Sequence, residues 1–279
     1  MSPVDGPGAA GPERQPGPAG TRFAEIHRFA TIDSTNRYLM DMARGGAPEG
    51  LVAVAAHQEA GRGRLGRRWE APAGSNLLAS VLLRLPSDAS AGHLVPAAMA
   101  LATADACRSA CGVEVGVKWP NDLVDGEGRK LAGVLAEVDL DGPAAGAVVV
   151  GVGVNVTWPG PADRLAGDGT AVAPTPPVAL STIWARPTTP GALLEAVLVA
   201  LEPRLAALAD AAGRAGLAAE LARRCVTVGQ VVRVDLPGGS FEGRAVGLTG
   251  EGHLEVEVDG VRRPVVAGDV RHLRPVAGG

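Results

Sequence analysis

The chain is organised around an arginine- and glycine-rich stretch that follows a short apolar run. It reads Gln58-Glu59-Ala60-Gly61-Arg62-Gly63-Arg64-Leu65-Gly66-Arg67-Arg68-Trp69. Its glycines let the backbone approach a ligand closely, and its arginines provide donors suited to carboxylate and phosphate oxygens. Because like charges repel and glycine loses much conformational entropy, such a loop is costly to order by itself. We therefore expect the loop to close over an anionic small molecule.

Two other interpretations of this stretch are weaker. The spacing Gly61-x-Gly63-x-x-Gly66 formally matches a dinucleotide-binding fingerprint, but Pro72 and Gly74 interrupt the helix that this fingerprint must open. A solvated basic turn would explain the charges, although turns seldom need so many arginines. Anion binding is the interpretation that accounts for both residue types.

The composition limits the fold and the partners. The chain has 279 residues, of which 46% are hydrophobic, which is enough for one large domain with one small domain. Its net charge of −4 lacks the basic excess of a general nucleic-acid binder, and no apolar run is long enough to cross a bilayer. The three cysteines, Cys107, Cys111 and Cys225, fit neither a disulfide framework nor a zinc site. We expect a reduced, cytoplasmic protein that does not bind membranes.

The chain divides into three parts. Residues 1–21 are rich in Pro, Gly and Ala, which predicts a disordered tail that leaves no space for an N-terminal DNA-binding domain. Residues 22–225 predict a domain of helices and strands, and residues 226–275 predict a small barrel of four or five short antiparallel strands. The Pro-rich residues 158–190 predict a long surface segment.

Capping residues and apolar runs place the elements of the larger domain. Asp33 or Ser34 is expected to cap a helix that ends near Gly45-Gly46. Further helices are expected over 90–111, over 191–212 and from there to about 224. Strands are expected over 51–56, 76–85, 113–119, 131–140 and 147–157, with the turn Asp141-Gly142-Pro143 between the last two.

Polar residues lie at the ends of several of these strands. One strand leads into Lys118-Trp119-Pro120-Asn121-Asp122, the next begins at Lys130, and a third ends in Gly151-x-Gly153-x-Asn155. Lys118 and Lys130 are the only two lysines of the chain, which indicates positions where arginine cannot replace a compact ammonium. Alternate glycines clear one face of a strand for a ligand, although a bulge is the plainer explanation.

These signals together predict a strand-end site for a carboxylate that ATP activates. Positive groups would stabilise the α-phosphate and the departing pyrophosphate. Asn121 and Asp122 offer oxygens to Mg²⁺, while an ordinary Pro-Asn-Asp turn is the alternative for them. Lys130 facing Asp122 across a turn is either a phosphate-binding lysine beside a metal ligand or a surface ion pair of little energetic value.

Taken together, these motifs closely resemble those of the biotin protein ligase family. The resemblance runs from about residue 25 to the C-terminal barrel, with the family's motifs in the same order and spacing. The matching motifs are Ser34-Thr35-Asn36, Gln58 with the loop through Trp69, Lys118-Trp119-Pro120-Asn121-Asp122, Arg129-Lys130-Leu131-Ala132-Gly133 and Gly151-x-Gly153-x-Asn155.

The resemblance implies a fold and a two-step reaction. The fold is α+β, with a mixed β-sheet flanked by helices, as in class II synthetases, and a small C-terminal SH3-like β-barrel. In the reaction, biotin and MgATP give biotinoyl-5′-AMP, from which a lysine of a biotin carboxyl carrier protein domain takes the biotinoyl group. The loop would shield the reactive mixed anhydride from water. We expect a ligase without DNA binding, as a monomer or weak homodimer.

The resemblance also implies roles for individual residues. Biotin contacts are expected from Ser34, Thr35, Asn36, Gln58, Arg62, Gly63, Arg64, Lys130, Gly133, Gly151 and Gly153. ATP or adenylate contacts are expected from Arg62, Arg64, Arg67, Trp69, Lys118, Asn121, Lys130 and Asn155. Catalytic roles are expected for Lys130, Arg64, Asp122 and Lys118, and Mg²⁺ binding for Asp122 and Asn121. The adenine-covering segment should fall in 158–190, where Trp158 and Trp184 are candidates.

Two rival functions stay open. A lipoate or octanoate protein ligase or transferase shares this architecture, and the octanoyl transferase would not need ATP. A non-catalytic biotin sensor would bind without transferring label to a carrier domain, but it has no need of Lys118, Lys130 and Asp122 around the anion loop.

Overall fold

The larger part of the molecule is built on one mixed β-sheet. The computed structural model describes residues 11–84, 89–139, 146–160 and 176–273. The eight strands of this sheet have the order β1-β2-β3-β4-β8-β7-β6-β5. They are β1 Glu13–Pro16, β2 Glu25–Ile32, β3 Val52–Gln58, β4 Leu77–Arg84, β5 Gly116–Lys118, β6 Asp122–Val124, β7 Lys130–Val138 and β8 Ala147–Val154. Strands β2 and β3 run parallel, whereas all the other neighbours are antiparallel.

The described residues contain four α-helices, at the positions that the local sequence signals predicted. They are α1 Thr35–Arg44, α2 Val95–Cys111, α3 Pro190–Ala207 and α4 Ala211–Arg224. The Ser34 side chain accepts a hydrogen bond at the start of α1, as expected from its position as N-cap. The helix expected over 191–212 is interrupted, because the Asp210 side chain caps a new helix. A short 3₁₀ helix, Ala89–Leu94, precedes α2 and takes up the first part of the helix expected there.

The two faces of the sheet are covered by different helices. Strand β8 shows this by alternation, since Val148 and Val150 pack with α2 and α3, whereas Val149 packs with α1. The next two residues of β8 that point to the α1 side are Gly151 and Gly153. This side of β8 therefore carries no side chains near the N-terminus of α1. The sheet therefore presents a bare floor beside the N-terminus of α1.

The C-terminal residues form a second, five-stranded antiparallel sheet with the order β12-β11-β10-β9-β13. Its strands are β9 Val231–Leu236, β10 Gly239–Leu248, β11 Leu254–Val258, β12 Val261–Val265 and β13 Asp269–His272. The expected small antiparallel C-terminal domain is present, and its strand order is open, because β13 pairs with β9 and no pairing joins β12 to β13 within the described residues. The strand number agrees with the expected four or five.

The side chain of Trp119 connects the two sheets. It is 5% exposed and packs with Val232, Val256 and other residues of the C-terminal core. The motif that contains Trp119 is therefore held from both sides, by its own hairpin between β5 and β6 and by the C-terminal sheet.

Some segments differ from the expectations. The tail expected to be disordered contains β1, which is ordered because its backbone pairs with β2. The expected surface segment includes buried Val178 and Leu180, whose backbone is bonded to β7 and to Asn155. The parts of these expectations that fall on residues 1–10, 161–175 and 274–275, and the turn Asp141-Gly142-Pro143, lie outside the described residues.

Strands β2 and β6 were not expected from the sequence. Within the part of the chain that the structure describes, no helix has the length and apolar character needed to span a membrane.

Candidate active site

The floor of the site consists of three glycines on β7 and β8. A Cβ atom on Gly151 would clash with Oδ1 of Asn36, and one on Gly153 would lie 2.6 Å from the Trp69 ring. A Cβ on Gly133 would lie 3.2 Å from the same ring. Side chains at these positions would fill the space above the sheet, so glycine is required here by close approach. The floor of the site thus lies on a face of the sheet, whereas Lys118, Asp122 and Lys130 lie at the ends of β5, β6 and β7, as expected.

One end of the site is a chain of neutral hydrogen-bonding groups. Oε1 of Gln58 accepts from the backbone N–H of Thr35 at 2.8 Å, and the hydroxyls of Thr35 and Ser80 lie 2.7 Å apart. The Ser80 hydroxyl donates to Oδ1 of Asn36 at 2.6 Å. Nδ2 of Asn36 donates to Glu137 at 2.7 Å. Since Thr35, Asn36 and Ser80 are buried, this end suits an uncharged ligand group that both donates and accepts hydrogen bonds.

The other end of the site carries positive charge. Nζ of Lys130 lies 2.6 Å from Oδ1 of Asp122 and 5.6 Å from the centre of the Trp69 ring. Burial lowers the pKa of the Lys118 ammonium, an effect that the Asp122 carboxylate opposes and that Lys130 reinforces. Two ammonium groups that share one carboxylate attract a ligand with further negative charge.

The arginine-rich loop is ordered by its own backbone. Arg62 and Arg68 form a β-bridge, the Trp69 N–H donates to the Gly61 carbonyl at 2.9 Å, and the Gly63 N–H donates to the Arg67 carbonyl at 2.7 Å. A Cβ on Gly61 would clash with the Trp69 carbonyl, so the loop needs glycine there. The loop is thus a narrow hairpin.

Each guanidinium group of the loop also has an acceptor elsewhere in the protein. Arg62 pairs with Glu137 at 3.3 Å, and Arg68 donates to the Glu59 carbonyl at 2.9 Å. Arg67 pairs with Asp269 of β13 at 2.5 Å. Arg64 donates to Asn121 at 3.3 Å and to the Gly268 carbonyl at 3.0 Å, and burial lowers its pKa. These contacts close the loop over the site.

Two asparagines order the segment that borders the positive end. Nδ2 of Asn76 donates to Oδ1 of Asn155 at 3.3 Å and to the Trp158 carbonyl at 2.9 Å. Nδ2 of Asn155 in turn donates to the carbonyls of Pro159 and Val178. The amide of Asn155 therefore holds backbone on either side of residues 161–175.

The C-terminal sheet fixes the motif that carries Lys118. The hydroxyl of fully buried Thr227 accepts from the Trp119 backbone N–H at 3.0 Å and lies 3.0 Å from Nε2 of His272. The indole N–H of Trp119 donates to the Gly252 carbonyl at 3.0 Å. Burial lowers the pKa of His272 to about 4, and the charge of Lys118 adds to this effect. His272 is therefore neutral at pH 7.

Most of these groups line one cavity of about 1630 Å³, whereas Glu137 lines a second pocket beside it, together with the arginine-rich loop. The cavity is continuous from the polar end, across the glycine floor, to the positive end and on to β13. The cavity is larger than the roughly 300–1,000 Å³ usual for one small ligand, so it has room for two joined substrates.

Two family models match the chain. The model of the Biotin/lipoate A/B protein ligase family matches residues 28–155. The model of the Biotin protein ligase C terminal domain matches residues 227–273.

Curated relatives cover most of the chain. A Mycobacterium tuberculosis protein named "Biotin--[acetyl-CoA-carboxylase] ligase" is 37% identical over 262 residues, which are 92% of each chain. This chain belongs to the biotin protein ligase family. The Escherichia coli "Bifunctional ligase/repressor BirA" is 30% identical over 86% of this chain and 71% of its own length. A solved biotin protein ligase from Aquifex aeolicus, in complex with biotin and ATP, shares the fold with a TM-score of 0.71 at 22% identity, over 89% of this chain and 99% of its own.

In this member of the biotin protein ligase family, the structure brings the candidate residues from the sequence together in one region. The residues expected to bind or react all line the cavity: Ser34, Thr35, Asn36, Gln58, Arg62, Gly63, Arg64, Arg67, Trp69, Lys118, Asn121, Asp122, Lys130, Gly133, Gly151, Gly153 and Asn155. Their individual roles stay predictions. The adenine candidates Trp158 and Trp184 are absent from the described cavity lining, and Trp184 packs against the helical core instead.

Some site residues were missed by the sequence analysis. Ser80 and Glu137 complete the polar end, Asn76 holds Asn155, and Thr227 and His272 hold Trp119. Ser80 and Asn76 lie in or beside a strand that is otherwise strongly apolar, and a buried polar residue in such a strand is the signal that could have revealed them.

Proposed function

We propose that this chain is an ATP-dependent biotin protein ligase that activates biotin as biotinoyl-5′-AMP and transfers the biotinoyl group to a lysine of a carrier protein. The observation that carries the proposal is the polarity of the cavity. A buried, neutral end formed by Asn36, Ser80 and their neighbours is joined by a bare glycine floor to an end with two lysines. Biotin has the matching polarity, with an uncharged ureido ring at one end and a carboxylate at the other.

The neutral end favours biotin over lipoate or octanoate. The ureido group can donate to and accept from the groups around Thr35, Ser80 and Asn36. A lipoyl or octanoyl tail has no such donors or acceptors, so it would leave unused the hydrogen-bonding capacity that these groups have beyond their bonds to one another. Each unsatisfied buried group costs about 1–3 kcal/mol. The polar end therefore selects against an apolar acyl chain.

In the first step, a biotin carboxylate oxygen bonds to the α-phosphorus of ATP, and the bond from that phosphorus to the bridging oxygen of pyrophosphate breaks. Negative charge accumulates on the phosphate oxygens during this exchange. Lys130, Lys118 and Arg64 place positive charge at this end of the cavity, where burial strengthens each interaction. Asp122 orients the Lys130 ammonium at 2.6 Å.

Mg²⁺ fits this site as a phosphate-bound ion. The described residues contain no group of three or more His, Cys, Asp or Glu side chains that could hold a metal alone. Asp122 can provide one carboxylate oxygen, which agrees with the one or two that Mg²⁺ takes beside phosphates. The Asn121 oxygen accepts from Arg64, so its use as a ligand would require Arg64 to release it. The ion would supply charge neutralisation on the phosphates.

In the second step, the amine of the carrier lysine attacks the acyl carbon and AMP leaves with the electrons of the broken carbon–oxygen bond. The closed hairpin keeps water from the mixed anhydride until that amine arrives. The Asp122 carboxylate lies at the positive end, where it attracts the incoming lysine ammonium. The nitrogen must lose a proton before it bonds to the acyl carbon, and the Asp122 carboxylate or the phosphate of the departing AMP can accept that proton.

The partner in this proposal is the biotin carboxyl carrier domain of a biotin-dependent carboxylase. We further propose a cytoplasmic monomer or weak homodimer that acts without binding DNA. Sedimentation with and without biotin and ATP tests the oligomeric state, and a mobility shift on genomic fragments tests DNA binding.

The proposal is tested with ATP, Mg²⁺, labelled biotin and a carrier domain, each left out in turn. We expect pyrophosphate release that depends on biotin, and label on the carrier only in the complete mixture. Lys130→Ala should abolish adenylate formation while thermal unfolding stays cooperative. Release of pyrophosphate with lipoate but not biotin would identify the rival ligase, octanoyl transfer without ATP would identify the transferase, and binding without turnover would identify a sensor.

A further inference from the structure

Glu137 lies at the end of β7, where the polar end of the cavity meets the loop. Its Oε2 accepts from Nδ2 of Asn36 at 2.7 Å, and its Oε1 lies 3.3 Å from Nη1 of Arg62. One carboxylate therefore contacts a buried side chain of the pocket and a charged side chain of the loop that covers it.

The carboxylate also determines the direction of the hydrogen bonds in the pocket. An ionised carboxylate can only accept, so it forces the Asn36 amide to present its NH₂ group to Glu137. Oδ1 of Asn36 must then accept, and it does so from the Ser80 hydroxyl at 2.6 Å. With its proton committed to Asn36, the Ser80 oxygen is left to accept from the Thr35 hydroxyl at 2.7 Å.

The same chain continues to the glutamine of the pocket. Oε1 of Gln58 accepts from the Thr35 backbone N–H at 2.8 Å and lies 3.1 Å from the Thr35 hydroxyl, which leaves the Gln58 NH₂ group to donate. Without Glu137, the Asn36 amide would keep only its longer bond of 3.3 Å to the Leu135 carbonyl. It could then rotate more readily and reverse the roles of Ser80 and Thr35. Which pocket groups offer protons to the ligand therefore depends on Glu137.

We propose that Glu137 is a positioning residue that sets the hydrogen-bond polarity of the biotin pocket through Asn36 and holds the covering loop through Arg62. This inference rests on the proposed function for the identity of the ligand. The link between pocket and loop stands on the geometry alone. A ligand that binds Asn36 would thereby affect the position of the loop, because Asn36 and Arg62 share the Glu137 carboxylate.

Two substitutions separate the two contacts of Glu137. Glu137→Gln keeps one oxygen that can accept from Asn36, but its uncharged amide no longer attracts Arg62. Glu137→Ala removes both contacts. Asp139→Asn is the matched control, because Asp139 pairs with Arg44 at 3.0 Å just beyond β7 and lines neither the cavity nor the pocket beside the loop that contains Glu137.

The first measurement needs no ligand. The loop carries four arginines, so trypsin reports its opening, and cleavage after Arg62 is followed by mass spectrometry. An ion pair of this exposure is weak, so Glu137→Gln should raise the cleavage rate about two- to fivefold over Asp139→Asn. Equal rates in the two variants would overturn the contact with the loop, whether or not the chain is a biotin ligase.

The second measurement uses biotin, ATP and Mg²⁺. Glu137→Ala should weaken biotin binding about tenfold, which is the loss expected for one charge-assisted hydrogen bond. Glu137→Gln should retain most of the affinity and yet release biotinoyl-5′-AMP into solution several times faster than wild type. Equal biotin affinity of the Ala variant and the Asp139→Asn control would overturn the role in polarity.

These outcomes are distinct from a failure of the proposed function. If wild-type protein makes no adenylate from biotin, the proposed function fails, while the trypsin experiment still decides whether Glu137 holds the loop. If wild type makes the adenylate and both Glu137 variants behave as the control does, the inference fails and the proposed function stands. Arg62 is itself expected to contact the ligand, so the shared contact is tested without ligand. With trypsin cleavage followed after Arg64, Glu137→Gln should add nothing to the cleavage rate of Arg62→Gln, and additive rates would contradict a shared contact.

Discussion

Replacement of Thr227 by valine tests how far the C-terminal sheet determines the active site. Thr227 is fully buried, and its hydroxyl serves the Trp119 backbone N–H and Nε2 of His272, each at 3.0 Å. Valine has nearly the same shape, so the substitution removes the oxygen and leaves no cavity. The Trp119 N–H is then buried without an acceptor, one residue from Lys118.

The expected loss follows from these contacts. An unsatisfied buried donor costs about 1–3 kcal/mol, so we take about 2 kcal/mol for the Trp119 N–H. We take about 1 kcal/mol for His272, which is less buried and can turn to water. The sum of about 3 kcal/mol corresponds to a fall of roughly 9 °C in Tm, at about 3 °C per kcal/mol for a chain of this size.

The assay combines thermal unfolding with ATP-dependent pyrophosphate release. Because Trp119 fixes the neighbouring Lys118, the KM for ATP should rise several-fold while the Kd for biotin, bound at the far end of the cavity, stays close to wild type. Thr227→Ser should recover most of the loss, since it restores the hydroxyl.

Thr103→Val is the matched control. Thr103 is also fully buried, but its hydroxyl donates to the Met99 carbonyl within α2, which keeps its place in the helix without it. We expect a loss below about 1 kcal/mol and no change in the KM for ATP. If Thr227→Val were no less stable than Thr103→Val and bound ATP equally well, the C-terminal sheet would not act through this hydroxyl.

Three further predictions concern the floor and the titrating groups. Gly151→Ala should reduce biotin affinity at least about tenfold, because the added methyl group displaces Asn36. The control Gly216→Ala, whose methyl group meets open space, should leave the biotin affinity unchanged. Equal affinities of the two variants by calorimetry would contradict the requirement for a bare floor. Because burial lowers the pKa of Lys118, adenylate formation should decline as pH rises through that pKa, and Lys118→Arg should shift the decline to higher pH; an unchanged alkaline limb would exclude Lys118 as its source. The pKa of His272 is lowered to about 4 in the folded protein. Between pH 6.5 and 4 the unfolded chain therefore binds a proton at this residue that the folded protein does not, so the free energy of unfolding falls as the pH falls. In urea titrations His272→Gln should lose part of this pH dependence, and an equal pH dependence in wild type and variant would refute the prediction.

Local signals were sufficient for the elements that depend on local chemistry. Ser34 and Gly45 bound α1 because capping acts within one turn. Strand β8 was found because a strand covered on both faces is continuously apolar. The C-terminal strands were found because their turns and alternation are regular.

The missing elements depend on pairing between distant segments. Strand β1 contains Pro16 and lacks large apolar residues, and it is ordered only by the exposed edge of β2. Glu137 lies four residues beyond the motif that ends at Gly133, and its contacts depend on Asn36 and Arg62, which are 101 and 75 residues away in the sequence. Such contacts are set by the fold, and no local pattern encodes them.

The polarity of the site was predicted better than its place on the sheet. The loop, the two lysines and the glycines indicated a site for an anion beside bare backbone. The structure brings these residues together around one cavity. The strand-end placement is right for Lys118, Asp122 and Lys130, which end β5 and begin β6 and β7, but it did not include the glycine floor, which lies within β7 and β8. In an antiparallel sheet the face is available, and the alternation of Gly151 with Val152 points to that face.

The structure also changes the energetic argument for the loop. The sequence suggested that four arginines would repel one another unless an anion bound. In the protein each guanidinium already has an internal acceptor. Those acceptors come from β7, from Asn121, from β13 and the residue before it and, for Arg68, from Glu59 at the start of the stretch. Anion binding then exchanges one set of partners for another and orders little additional chain. Because surface ion pairs contribute only about 0–1 kcal/mol each, a phosphate that engages several guanidinium groups can compete for them, and the internal pairs can form again once AMP has left.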